Sequence, residues 1–267
     1  MIKLILSDMD GTLLDDQSRL PDGFDDMMAE LKQRGVHFAP CSGRQYFSLL
    51  DSFAKYKDEF MFLAENGTLV RYQGRELFSS PMNAALGRQV LRAAENLPNI
   101  SEVFCGKNNA YVLERQMSPV LQQELNKYYT HAMTVPDFTH VGDEMIKASF
   151  YDANGTAEQT VMPVLERFRG PLQVILSSAY WVDVMNFDIN KGIAVQQVQR
   201  RLGITPMECA AFGDYMNDAE MMSSVYYSFA MANAHPKIKE LARYSTTSNN
   251  EGGVLAGIRR LIDAGLC

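Results

Sequence analysis

Short apolar strands alternate with amphipathic helices at both ends of this chain, and that order restricts the folds open to it. The first strand is followed by a helical repeat of apolar residues from Phe24 to Leu31, and strands are predicted again at 36–40 and 61–64. From Lys191 the same order returns, with an apolar strand at 209–212. This order predicts an α/β domain in which helices cover a parallel sheet.

The middle of the chain follows a different order. A helix is predicted at about 84–97, and two hairpins turn at Gly106-Lys107-Asn108 and at Ser177-Ser178-Ala179. A strand at 146–151 lies between them, with helical segments on either side. Elements in this order predict a separate α+β sheet.

We therefore predict two domains. Residues 1–82 and 187–267 form the α/β domain, and residues 83–186 form an inserted α+β domain. The segment 130–145 has no clear period, so no element is assigned to it.

Two carboxylates, Asp8 and Asp10, stand where the first strand gives way to Gly11. Side chains alternate along a strand, so both can face one side, with α-carbons about 6.5 Å apart. Two such anions repel each other unless a cation, hydrogen-bond donors or a shared proton holds them. The pair suggests a metal-assisted nucleophilic site. A calcium loop is excluded because Thr12 and Leu13 occupy positions that need an oxygen ligand and glycine, whereas an ordinary acidic turn remains an alternative.

Three further polar clusters follow predicted strands or begin helices, where open α/β sheets gather their ligand sites. Ser42-Gly43-Arg44 offers a hydroxyl and backbone N–H groups to an anion, although a plain N-cap has the same residues. Lys191 can neutralise a phosphoryl oxygen, but taken alone it is better explained as a surface lysine. Asp214 and Asp218 follow the strand at 209–212. With Asp8 and Asp10, Asp214 can converge on one hard cation, and Mg²⁺ suits such oxygen ligands.

The composition limits the binding partners and the cellular compartment that we expect for this protein. Lys and Arg total 25 against 32 Asp and Glu, and the net charge of −7 argues against nucleic acid or an anionic membrane as partner. No apolar run reaches the roughly 20 residues that span a bilayer, and the amino terminus lacks the regions of a signal peptide. We expect a cytoplasmic protein with reduced cysteines.

The ordered set of these clusters resembles the haloacid-dehalogenase-like phosphatases, whose four motifs match Asp8-Met9-Asp10-Gly11-Thr12, Ser42-Gly43-Arg44, Lys191 and Gly213-Asp214-x-x-Asn217-Asp218. Three accessory signatures resemble the Cof-type branch, and within it bacterial sugar phosphatases: Glu65-Asn66-Gly67, Met231-Ala232-Asn233-Ala234 and Asn249-Asn250-Glu251-Gly252-Gly253. The resemblance implies a Rossmann-like parallel-sheet core with an inserted α+β cap of the C2B type, ordered αββ(αβαβ)αββ. In this chain Ala232 stands where the branch often has glycine.

The resemblance also implies a role for each motif residue. Asp8 attacks phosphorus to form an aspartyl-phosphate, and Asp10 protonates the leaving oxygen and then activates water. Mg²⁺ is held by Asp8, the backbone carbonyl of Asp10, and Asp214. The groups that hold the phosphoryl oxygens are Ser42, Gly43, Lys191 and Asn217. The residues expected to support the site are Thr12, Arg44 and Asp218.

The cap is expected to choose the substrate, because the core meets chiefly the phosphate. The candidates for contact with the leaving group are Lys107, Asn108, Ser178 and Tyr180, all of which also fit ordinary hairpin turns.

The leading hypothesis is a Mg²⁺-dependent phosphatase of small phosphomonoesters, most simply sugar phosphates. Flavin mononucleotide, pyridoxal phosphate or a riboflavin-pathway intermediate are alternative substrates. A hypothesis of another class is a sensor that binds a phosphorylated metabolite without turnover.

Overall fold

A computed structural model describes all residues, Met1–Cys267, and the chain divides into two compact units. Unit 1 comprises Met1–Phe78 and Asn190–Cys267, and unit 2 comprises Ser79–Ile189. The predicted domain limits, after residues 82 and 186, fall close to these boundaries. No helix combines the length and apolar character needed to cross a bilayer.

The amino-terminal part of the chain contains the predicted first strand, the helix that begins at Phe24 and the strands predicted at 36–40 and 61–64, together with further elements. In chain order these are β1 Leu4–Ser7, α1 Phe24–Gln33, β2 His37–Pro40, α2 Tyr46–Ser52, β3 Met61–Ala64, β4 Leu69–Tyr72 and β5 Arg75–Ser79. The apolar repeat of α1 is buried, which explains why this segment is helical: Phe24, Met27, Met28 and Leu31 all face the core.

The middle of the chain begins and ends with a helix followed by two strands. Its elements are α3 Ala84–Ala94, β6 Ile100–Gly106, β7 Ala110–Leu113, α4 Pro119–Tyr128, β8 Ala132–Val135, β9 Met145–Asp152, α5 Ala157–Thr160, α6 Met162–Leu165, β10 Leu172–Leu176 and β11 Trp181–Asn186. The Ser118 hydroxyl caps α4 by accepting the Leu121 N–H at 3.2 Å, and Pro119 opens the helix.

The last part of the chain returns to alternating helices and strands. Its elements are α7 Lys191–Leu202, β12 Cys209–Gly213, α8 Ala219–Ser223, β13 Tyr227–Ala230, α9 Pro236–Leu241, β14 Tyr244–Ser245 and α10 Gly253–Asp263. The sequence analysis missed three short elements in this part, namely α8, α9 and β14, because so few residues carry little periodicity.

Unit 1 is built on a parallel sheet of five strands in the order β14-β13-β12-β1-β2. Strand β1 lies between β12 and β2, so the carboxyl ends of these three strands meet at one edge. The predicted fold class, an α/β fold with a parallel-sheet core and an α+β insertion, is confirmed. Strand β3 pairs antiparallel with β4 in a separate three-stranded sheet, and it touches the parallel sheet at a bridge between Cys41 and Leu63.

Unit 2 contains a six-stranded sheet in the order β10-β11-β9-β6-β7-β8. Its pairs are antiparallel except β7 with β8, which run parallel. The unassigned segment 130–145 holds the edge strand β8, whose residues are half-buried or exposed and so show no inward apolar period. The second helix that the resemblance implies between β8 and β9 is replaced by a single 3-10 turn at Phe138–His140.

Candidate active site

Asp8 stands directly after the central strand of unit 1. Its N–H donates to the Phe212 carbonyl at 3.0 Å, which continues the pairing of β1 with β12 by one residue. Asp8 is buried, whereas Asp10 is exposed on the turn that follows. The structure therefore gives the two carboxylates different surroundings.

Lys191, the first residue of α7, lies between two carboxylates. Its ammonium Nζ is 2.5 Å from Asp8 Oδ1 and 2.7 Å from Asp218 Oδ1, and the side chain is 0% exposed. Lysine is almost never this deeply buried without a charged partner. The structure thus brings this predicted phosphate ligand to the predicted nucleophile across 183 residues of sequence.

A third carboxylate completes the cluster. One carboxylate oxygen from each of Asp8, Asp214 and Asp218 lies within 4.8 Å of the other two. The Thr12 hydroxyl donates to Asp214 Oδ1 at 2.7 Å, and the supporting role of Thr12 in the site stays a prediction. Asp218 Oδ2 accepts the N–H groups of Asp214 and Tyr215, at 3.0 and 3.2 Å, which makes Asp218 the residue that shapes the loop.

The electrostatics of this cluster favour a bound cation. Burial raises the pKa of Asp8 well above its ordinary value; Lys191 opposes this, while Asp218 and Asp214 add to it. Burial also raises the pKa of Asp214, against the hydrogen bond from Thr12. Burial alone lowers the pKa of Lys191, but Asp218 and Asp8 outweigh it and raise that pKa above the ordinary value. One ammonium faces three carboxylates, and a divalent cation with oxygen ligands fits this excess of negative charge.

Asp10 forms an ion pair with Arg44. The Arg44 guanidinium donates from Nε to Oδ2 at 2.8 Å and from Nη2 to Oδ1 at 2.5 Å. The Arg44 N–H in turn donates to the Ser42 hydroxyl at 3.1 Å. This two-point contact fixes the carboxylate plane of Asp10. The sequence pattern did not indicate that Asp10 would be the partner of Arg44.

The turn Glu65-Asn66-Gly67 after β3 holds the loop of the second motif. Glu65 and Asn66 have positive φ angles of 52° and 55°, a conformation that non-glycine residues seldom adopt. The Asn66 N–H donates to the Ser42 carbonyl at 3.0 Å, and Asn66 Oδ1 accepts the Asn217 side-chain amide at 3.4 Å. Backbone strain of this kind gathers at functional sites. The signal in the sequence is asparagine before glycine at a strand end.

The loop after Asp10 is tied down by two asparagines of the accessory signatures. The Asn233 amide donates to the Gly11 carbonyl at 2.7 Å, and its Oδ1 accepts the Asn249 N–H at 3.1 Å. Gly11 has φ +78°, and a Cβ there would lie 2.6 Å from Asp214 Oδ2. Only glycine allows both the left-handed backbone and this close approach. The sequence analysis assigned no site role to either asparagine.

The whole chain can be placed in a family on its sequence. A family model for haloacid dehalogenase-like hydrolases matches residues 5–258. The chain belongs to the haloacid dehalogenase-like hydrolases. The resemblance inferred from the four motifs is thereby confirmed.

Relatives of this haloacid dehalogenase-like hydrolase include named phosphatases. It is 30% identical to a 5-amino-6-(5-phospho-D-ribitylamino)uracil phosphatase of Escherichia coli, with 98% of this chain and 96% of the relative covered. It is 26% identical to a Bacillus subtilis phosphatase of the same name, with the same coverage. The solved structure of a subclass IIB sugar phosphatase shares the fold, with a TM-score of 0.79, 19% identity and coverage of 99% and 100%. This haloacid dehalogenase-like hydrolase is a phosphatase.

The four residues predicted to contact the leaving group lie in turns of unit 2. Lys107 pairs with Glu144 at 2.8 Å, and the Asn108 N–H donates to Asp143 at 2.9 Å. The Ser178 hydroxyl accepts the Tyr180 N–H at 3.1 Å within its hairpin. These contacts stabilise the turns, and a role in substrate choice stays a prediction.

A buried polar cluster on the middle strands of unit 2 escaped the sequence analysis. Ser149 on β9 donates to Asp183 on β11 at 2.5 Å and accepts the Tyr129 hydroxyl at 3.1 Å. The Lys147 ammonium lies 3.8 Å from Asp183 and faces the Tyr129 ring at 5.6 Å. Lys147, Ser149 and Asp183 lie on strands whose other face is apolar. Because they alternate with buried apolar residues, the sequence pattern did not distinguish them from the polar face of an ordinary strand.

Proposed function

We propose that this phosphatase hydrolyses small phosphomonoesters through an aspartyl-phosphate on Asp8. The observation that carries the proposal is the buried ion pair of Lys191 with Asp8, beside a second aspartate, Asp214, that has excess negative charge around it. Lys191 orients one oxygen of Asp8, which leaves the other oxygen for attack on phosphorus.

In the first half-reaction an oxygen of Asp8 forms a bond to phosphorus as the bond to the alcohol oxygen breaks. Asp10 gives that oxygen its proton, so the alcohol leaves neutral. In the second half-reaction Asp10 takes a proton from water as the water oxygen attacks phosphorus, and inorganic phosphate leaves Asp8. Arg44 keeps the Asp10 carboxylate in one orientation for both proton transfers.

The residues that would hold Mg²⁺ are Asp8, Asp214 and the backbone carbonyl of Asp10. When bound, the metal supplies positive charge that screens an anionic nucleophile from an anionic phosphate. The phosphoryl oxygens would be held by the Ser42 hydroxyl, the Gly43 N–H, the Lys191 ammonium and the Asn217 amide.

We propose phosphorylated sugars and sugar alcohols as the substrate class. The names of two relatives specify a phosphate on a ribityl chain, which is a sugar alcohol. This agrees with the sugar-phosphate hypothesis from the sequence and gives the riboflavin-pathway alternative a specific compound to test. Flavin mononucleotide and pyridoxal phosphate belong in the same panel.

The test is phosphate release from this panel, with and without Mg²⁺, by the wild type and by Asp8→Asn. We expect Mg²⁺-dependent release by the wild type and a loss of at least about 10³-fold in the variant. Binding of a sugar phosphate by both proteins without turnover on any compound would instead establish the sensor hypothesis.

We propose that unit 2 selects the leaving group. The selecting residues lie either in its turns or in its buried polar cluster, and variants at both places distinguish these two possibilities. Relative rates across the panel are compared for Lys107→Ala, Asn108→Ala and Lys147→Gln. Unchanged ratios of kcat/KM remove the altered residue from the set that selects the substrate.

A further inference from the structure

A network of hydrogen bonds joins the loop after Asp10 to a distant 3-10 turn of unit 1 that begins at Asn249. The Asn249 side chain is buried, and its Nδ2 donates to the Leu14 carbonyl at 3.0 Å and to Asp16 Oδ1 at 3.1 Å. Leu14 is itself bound to the active-site turn, because its N–H donates to the Met9 carbonyl at 2.9 Å. Leu14 thus connects Asn249 to the residue directly before Asp10.

Asp16 is exposed, yet both oxygens of its carboxylate are held by side-chain amides. Oδ1 accepts the Asn249 amide, and Oδ2 accepts the Asn250 amide at 2.9 Å. The Asp16 N–H donates back to Asn250 Oδ1 at 3.0 Å, so these two residues bind each other reciprocally. Hydrogen bonds from Asn250 and Asn249 lower the pKa of Asp16 below its ordinary value, since both amides favour the ionised carboxylate. A carboxylate bound at both oxygens is suited to holding the loop in place.

The same turn also reaches the residue directly after Asp10. The Asn249 N–H donates to Asn233 Oδ1 at 3.1 Å, and Asn233 Nδ2 donates to the Gly11 carbonyl at 2.7 Å. The backbone is therefore held on both sides of Asp10. Arg44 orients the Asp10 carboxylate, but that contact places the proton correctly only while the backbone that carries Asp10 stays in position.

We propose that Asp16 is a positioning residue for the proton transfers of Asp10, and that it acts through Asn249 and Asn250. This inference rests on the proposed function, in which Asp10 protonates the leaving alcohol. A misplaced acid slows the loss of a sugar alkoxide, because that oxygen needs a proton as it takes the electron pair of the breaking P–O bond. The 4-nitrophenolate ion takes the same electron pair without a proton, since it is a stable anion. Loss of the Asp16 contacts should therefore slow the hydrolysis of sugar phosphates more than that of 4-nitrophenyl phosphate.

The test compares kcat/KM for two esters in the presence of Mg²⁺. One ester is the sugar phosphate of the panel with the highest kcat/KM, and the other is 4-nitrophenyl phosphate. Because kcat/KM covers the steps up to departure of the alcohol, the later attack of water does not enter the comparison. We expect Asp16→Ala to lower the ratio of kcat/KM, sugar phosphate over 4-nitrophenyl phosphate, by at least about 5-fold. Asn249→Ala should lower the ratio further, because it also removes the donor to the Leu14 carbonyl.

A double variant that exchanges acid and amide, Asp16→Asn/Asn250→Asp, provides the rescue. Residue 16 still accepts the Asn249 amide, and its own amide and N–H both donate to the carboxylate at position 250, so all three hydrogen bonds of Asp16 are replaced. We expect its ratio to lie within about 2-fold of the wild type. The matched control is Asp25→Ala, which removes an exposed carboxylate on α1 that is bound by Lys55 and should leave both kcat/KM values unchanged.

Asp10→Asn separates this inference from the proposed function. It should lower the same ratio by more than Asp16→Ala does; if it leaves the ratio unchanged, Asp10 is not the acid, and the inference fails with that role. If Asp10→Asn lowers the ratio but Asp16→Ala lowers both kcat/KM values equally, or the exchange variant does not restore the ratio, only the inference is overturned. Asp16 is exposed, so Asp16→Ala remains informative if Asn249→Ala fails to fold.

Discussion

Lys191→Met is the substitution that most directly tests the charge balance of the active site. The change keeps most of the side-chain volume but removes the ammonium that contacts both Asp8 and Asp218. Two buried carboxylates then face each other, and Asp214 adds a third nearby. We expect the folded state to lose stability and the enzyme to lose activity.

The expected loss of stability follows from how deeply the ion pairs of Lys191 are buried. Removing one partner of a buried ion pair costs about 3–5 kcal/mol. For a unit of this size each kcal/mol lowers Tm by about 2–4 °C, so Lys191→Met should melt about 6–20 °C below the wild type. Lys3→Met removes a lysine whose pair with Glu208 is solvent-exposed, so its Tm should stay close to that of the wild type.

Differential scanning calorimetry in EDTA measures both variants against the wild type. Lowering the pH should reduce the difference in Tm between Lys191→Met and the wild type, because protonation removes charge from the carboxylates that the lysine had neutralised. Equal Tm shifts for Lys191→Met and Lys3→Met, or a deficit that grows on acidification, would refute the reasoning.

Three further predictions concern the same site. The pKa values of Asp8 and Asp214 are raised in the folded state, so their contribution to stability is present at low pH and is lost as pH rises through those values. Mg²⁺ should therefore raise Tm more at pH 8 than at pH 5, and an equal gain at both would contradict this. Gly11→Ala should lose about 1–2 kcal/mol from backbone strain and also weaken Mg²⁺ binding, measured by titration. Gly35→Ala has a similar φ of +71° with no atom near the added Cβ, and should show the strain alone; equal Mg²⁺ affinity in the two variants argues against the contact at Gly11. Asn233→Ala should lower kcat/KM by about 5-fold through the freed Gly11 carbonyl, and an unchanged value would exclude that role.

Much of the fold was predictable because its signals are local. The burial of α1 follows from a repeat that spans one helix, and the position of Asp8 follows from a strand of four residues. Signals fail where an element is short or lies at an edge, as with β8, or where the choice of partner strand is made by packing, as with the antiparallel pairing of β3.

The candidate site was likewise predictable from the sequence only in part. The sequence alone placed Asp8, Asp10, Lys191 and Asp214 at strand or helix ends, since these positions depend on neighbours a few residues away. Parallel strands then bring such ends to one edge of the sheet, so their convergence was foreseeable.

Only the tertiary structure decided which groups touch. It paired Arg44 with Asp10, gave Lys191 two carboxylates, and placed Asn233 on the carbonyl of Gly11 across 222 residues. It also buried one oxygen of Glu102 in unit 2 without a hydrogen-bond partner. A hydrogen bond needs its two atoms placed to within a few tenths of an ångström, and distant parts of the chain reach that precision only once the core has packed.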